Sequence, residues 1–86
     1  MSTTVVLLVT PCEPIEPDRH FYEVPDDLAA ALAAAGQSSR HGVAQHAGGP
    51  WRFHFQLSGP DRLAAGSALV EDVRGLGYDA DLRISP

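Results

Sequence analysis

At 86 residues, 44% of them apolar and 20% charged, the chain has the size and hydrophobic content of one globular domain, which excludes disorder for most of its length. Eleven acidic residues against six basic ones leave a net charge of -5 at pH 7, which opposes a phosphate backbone and sets nucleic acid aside as an expected partner. No apolar run approaches the ~20 residues that span a bilayer. The N-terminus carries neither a cationic n-region nor a cleavage site, and the single Cys12 cannot close an internal disulfide, so a cytoplasmic location without membrane contact is expected. Every basic residue is Arg and the chain has no Lys or Asn, a usage that points to a GC-rich genome and a bacterial source.

Taken in order, Thr3 to Val9 is apolar and β-branched on successive residues, which predicts a strand with neither face made for water, lying in the middle of a sheet. Pro11, Pro14 and Pro17 then forbid helix, and residues 10–24 read as a proline-rich loop in which His20 to Val24 offers a short edge strand or an apolar strap. Pro25-Asp26-Asp27 predicts a helix start, with two carboxylates near the positive end of the helix dipole. Leu28 and Leu32 share one face of that helix, and Gly36 ends it.

The most informative stretch is Trp51 to Leu57, in which bulky apolar residues at 51, 53, 55 and 57 alternate with Arg52, His54 and Gln56. One face of this strand must supply much of the core, since it holds the only Trp and two of the three Phe. Ser39 to Ala47 leads into it through Gly48-Gly49-Pro50, so a hairpin is expected. Ser58, Pro60 and Asp61 predict a second helix start. Leu63, Leu69, Val70, Val73 and Leu76 then form an apolar stripe, with Gly66 on the same side and Gly75 and Gly77 at the end. Tyr78 to Ile84 alternates again, with Asp79, Asp81 and Arg83 on the polar side.

Strand, helix, strand, strand, helix, strand is the order of the split β-α-β unit, and the chain resembles ferredoxin-like domains in architecture. The predicted fold is a single α+β domain over 1–86, a ferredoxin-like βαββαβ sandwich with a four-stranded antiparallel sheet ordered 4-1-3-2 and two helices on one face. Such a fold hosts unrelated functions and carries no site with it.

Function must therefore come from the face of the sheet turned away from the helices. With the hairpin turn at Ala47 to Pro50, His46 is set against Trp51, Val43 against His54 and His41 against Gln56. That register puts His41, Val43 and Gln45 on one face with Arg52, His54 and Gln56, and with Asp79, Asp81 and Arg83 at the far margin. Between these polar margins the first strand contributes apolar residues, which is unusual for an open sheet face. A second copy of the chain is the expected cover. Sheet-to-sheet dimers of this kind are familiar among small cofactor-independent monooxygenases, polyketide cyclases and muconolactone-isomerase-like enzymes, a resemblance of fold and assembly alone.

Two functions are carried forward. The first is a non-catalytic regulatory or accessory binding module, homodimeric through the sheet face, with His41, Gln45, Gln56, Asp79 and Asp81 available to a protein or small-molecule ligand. The second is a cofactor-free isomerase, cyclase or monooxygenase in which His54 acts as acid or base and Arg52 holds an anionic or enolate oxygen. Histidine suits that task because its unperturbed pKa lies near neutrality. No spacing matches a zinc site, a phosphate-binding glycine loop or a nucleophile elbow, so no metal and no cofactor are expected. Cys12, a lone thiol, reads as a small apolar side chain rather than a nucleophile.

Overall fold

A computed structural model describes residues 3–11, 24–45 and 48–85. It has six elements: β1 (Thr4–Thr10), α1 (Asp26–Ala34), β2 (Gly42–Gln45), β3 (Trp51–Gln56), α2 (Arg62–Gly75) and β4 (Asp79–Ser85). The strands form one antiparallel sheet in the order β2-β3-β1-β4, which is the ferredoxin-like topology expected from the sequence. Most of the proline-rich loop, with Cys12, His20 and the anticipated edge strand up to Glu23, lies outside the described residues.

β1 is central because it is apolar on both sides. Leu7 pairs with Phe55 of β3 and Leu82 of β4, and Val9 pairs with Phe53 and Ala80, so the odd-numbered residues of β1 face the helices. Val5, Leu7 and Val9 are fully buried there with Phe55, and Phe53 and Leu57 are nearly so. Leu28 and Leu32 of α1 and Leu69 and Val73 of α2 complete the core from above. Among the described residues, no polar or charged side chain is buried in it. The polar side chains of the described residues therefore all lie at or near the surface.

Both helices end in the same way. In α1 the amide of Gln37 donates to the Leu32 carbonyl at 2.9 Å and that of Gly36 to Ala33 at 3.0 Å, with Gly36 at φ 72°. In α2 the amide of Tyr78 donates to Val73 at 3.3 Å and that of Gly77 to Arg74 at 3.0 Å, with Gly77 at φ 101°. These are Schellman caps, in which the left-handed glycine lets two amides turn back onto orphaned carbonyls. The residue after each cap then binds elsewhere: the Tyr78 hydroxyl donates to the Asp27 carboxylate at 2.9 Å, which ties the end of α2 to the start of α1.

The sequence pattern overstates two apolar stripes. In α2 only Gly66, Leu69 and Val73 are buried, whereas Leu63 and Leu76 are 49% and 43% exposed. Leu63 lies to one side of the buried row, and Leu76 is the C-cap residue just past the end of α2. In β4 the apolar alternation loses its cover toward the end, leaving Ile84 53% exposed. The anticipated Ser58 cap is also replaced: Asp61 stands at the N-cap without a side-chain capping bond, and the Ser58 amide is engaged by Gln37.

Gly66 sets how closely α2 approaches the sheet. A Cβ there would lie 2.9 Å from Leu82 Cδ2 and 3.0 Å from Leu57 Cδ1. Alanine gains about 1 kcal/mol of helix propensity over glycine, and a small movement of two leucine ends relieves its crowding. A branched side chain has no such relief. Gly66→Val is expected to lower unfolding free energy by about 1–3 kcal/mol in urea denaturation, with Gly66→Ala close to the parent.

Candidate functional site

The face opposite the helices is built from the even-numbered residues of the central strands. Leu8 stands between His54 on one side and Asp81 on the other, and Val6 between Gln56 and Arg83. Val6 and Leu8 are half-buried, Arg52 and His54 are half-buried, and Gln56, Asp79, Asp81 and Arg83 are exposed. The face is thus an apolar strip framed by polar margins. The carboxylate of Asp81 reaches Arg52 Nη1 across β1 at 3.5 Å, and Arg74 Nη2 from α2 at 3.5 Å. Arg74 is held in place by two donations to the Ala80 carbonyl, at 3.2 and 2.9 Å.

The hairpin register differs from the one expected. Gln45 pairs with Trp51 and Gly42 with His54, so the connection from 46 to 50 is one residue longer than supposed. A one-residue slip moves every side chain of a strand to the other face. His41 and Gln45 accordingly leave the open-face set. The His41 ring meets Phe53 edge-on at a centroid distance of 5.2 Å and lies 6.1 Å from Phe55. Gln45 closes the hairpin instead, its Nε2 donating to the Gly49 carbonyl at 2.7 Å. Spacing alone had no signal for this, because alternation in Ser39 to Ala47 is too weak to fix a register.

At the end of β3 the open face runs into a depression of about 710 Å³. The described residues that line it come from three places: Val6 of β1, His54 to Ser58 at the end of β3 apart from Phe55, and Ser38 and Arg40 to Gly42 before and at the start of β2. The segments after α1 and after β3 are joined by a two-bond clamp: Gln37 Nε2 donates to the Ser58 carbonyl at 3.0 Å, and the Ser58 amide donates to Gln37 Oε1 at 2.9 Å. A side-chain amide here pairs with the backbone as a neighbouring strand would.

His41 and His54 therefore line one depression although they approach it from different sides. Arg52 is not among its lining residues, and its guanidinium is directed to Asp81. Arg40 takes its place, a residue that the sequence did not single out, since it lies outside any periodic segment. Among the described residues, no group of three His, Cys, Asp or Glu side chains is placed to hold a metal ion, and no helix is long and apolar enough to cross a membrane. No family model, curated protein or solved structure matches the chain. The class the coordinates define is that of the fold, a small ferredoxin-like α+β domain.

Because the Gln37 clamp is a pair of neutral, exposed hydrogen bonds, its contribution is modest in energy but decisive in position. Gln37→Ala is expected to cost about 1 kcal/mol in denaturant unfolding. Amide exchange at Ser58 should rise at the same time, while exchange in β1 keeps its order relative to the other core amides.

Proposed function

We propose that the protein is a non-catalytic binding module of a regulatory or accessory kind, acting in the cytoplasm as a homodimer joined through the open faces of two sheets. The observation that carries this reading is the pair Val6 and Leu8 in the middle of a face that neither of the described helices covers. Isolated apolar residues on a surface are ordinary, but a strip along a central strand, framed by charge, is the pattern of an interface core with a polar rim. Charge supports the same arrangement. A two-fold axis along β1 would set the Asp79 and Asp81 margin of one copy over the Arg52 and His54 margin of the other, making the contact self-complementary.

Light scattering after size exclusion should give a mass twice the 9.2 kDa of the chain. Leu8→Glu, which places a charge in the centre of the contact and leaves the helix-facing core untouched, should elute as a folded monomer. A parent protein that remains at 9.2 kDa at high concentration removes the dimer.

A second reading, a cofactor-free enzyme with His54 as acid or base, draws on the depression that His54 lines. Its other proposed participant, Arg52, is turned toward Asp81 at 3.5 Å rather than into that space, which weighs against it. Replacement of the gene by a His54→Ala allele separates the readings. The enzyme requires a loss as severe as deletion, whereas in the binding module His54 is one of several residues of a polar margin, and the folded variant is expected to lose only part of its role.

A further inference from the structure

We propose that the outer edge of β4 is a docking site for an extended segment of a partner protein, one that reads apolar, acidic, apolar over three successive residues and joins the sheet as a strand antiparallel to β4. The inference rests on the binding-module reading and names the partner's chemistry. Backbone direction is the first argument. The Val5 carbonyl accepts from the Leu57 amide at 2.9 Å, so the odd-numbered residues of β1 direct their backbone groups to β3 and the even-numbered ones to β4. Val6 is paired with Arg83 and Leu8 with Asp81, which leaves Ala80, Leu82 and Ile84 with amides and carbonyls directed away from β1. Arg74 agrees with this direction, since it reaches the Ala80 carbonyl from α2.

The two edges of the sheet are finished differently. β2 has four residues, and so short an edge strand offers little to pair with. β4 has seven, none of them Gly or Pro, and β1 is its one neighbour among the described residues. Arg74 closes this edge at Ala80, through its donations to that carbonyl at 3.2 and 2.9 Å. A docked strand therefore pairs with Leu82 and Ile84, which as hydrogen-bonded positions exchange four backbone bonds with two of its residues. Pairing of two open faces buries side chains and not these backbone groups, so the dimer and the docked strand coexist.

Side chains set the identity of the three residues. Those opposite Leu82 and Ile84 lie on the helix side, where Ile84 is exposed and Leu82 half-buried. α2 runs antiparallel to β4, with Arg74 at Ala80 and Gly66 at Leu82, so the exposed Leu63, one turn before Gly66, stands toward the Ile84 end. Apolar partner residues extend this layer and take its surface out of water. The residue between them lies on the open face opposite Arg83, in the non-hydrogen-bonded position where paired side chains come closest. An acidic residue is favoured there and a basic one opposed. Asp81, the next residue on that face, is already met by Arg52 and Arg74 at 3.5 Å, which limits its repulsion of an incoming carboxylate.

Titration of the 86-residue chain with the peptide acetyl-Ser-Val-Glu-Val-Ser-amide, followed by amide NMR, tests the site. Saturable shifts are expected at Leu82 and Ile84. Methylation of either valine nitrogen, which faces β4, should abolish them, while methylation of the glutamate nitrogen, which faces away, should leave them. The peptide with Lys in place of Glu should bind at least about fivefold more weakly. Arg83→Glu should reverse that preference, the variant's own amide spectrum reporting its folding. Absence of shifts at Leu82 and Ile84, equal binding of the valine-methylated peptide, or an unchanged preference in folded Arg83→Glu would each overturn the proposal. Shifts at the same amides that grow with protein concentration in the absence of peptide assign the edge to a second copy and overturn it as well. Light scattering and the His54→Ala allele judge the binding-module reading separately: a monomer that binds the peptide upholds the edge and removes only the dimer, while a dimer with an inert edge does the reverse.

Discussion

Val5, Leu7 and Val9, all fully buried, project from the middle strand onto two helices, while Val6 and Leu8 of the same strand project the other way. The first set organises the fold. It places β3 and β4 on either side of β1, brings Phe53 and Phe55 beneath the helices, and requires α2 to come close enough for Gly66 to sit against Leu57 and Leu82. The second set is a consequence of the first. A strand that is apolar on successive residues cannot cover one face without leaving apolar residues on the other.

The site region depends on that core through the loops. Because the core fixes where α1 ends, the cap at Gly36 aims Gln37 toward the end of β3, where its amide takes hold of Ser58. The segment from Ser38 to His41 is thereby kept beside β3, and Arg40 comes to share a depression with His54, fourteen positions along the chain. The opposite margin is organised by a different device. Arg74, fastened to the Ala80 carbonyl, and Arg52, from across β1, share the Asp81 carboxylate. These solvent-accessible pairs at 3.5 Å add little to stability, and their effect is to hold two guanidiniums beside one carboxylate.

Much of the fold was legible from local pattern. The alternation of Trp51 to Leu57, the unbroken apolar run of β1, and the glycines at 36 and 77 each record a constraint that acts within a few residues: burial on one face, burial on both, or a left-handed backbone. The site was less legible. His54, Gln56, Asp79 and Asp81 lie on the face their parity implied, but His41 and Gln45 do not, because their strand has four residues and its register is set by a hairpin connection one residue longer than supposed.

Sequence by itself determined which strands are central, where both helices stop, and that one face of the sheet would carry a mixed apolar and polar surface, since all of these follow from periodicity and from the conformational limits of glycine and proline. Tertiary structure alone decided which titratable groups meet. Arg52 turns to Asp81, and Arg40 and His41 join His54, Val6 and Leu57 around one depression. The physical reason is that side-chain direction depends on register and charge pairing on the third dimension, and neither leaves a mark at short range in a chain.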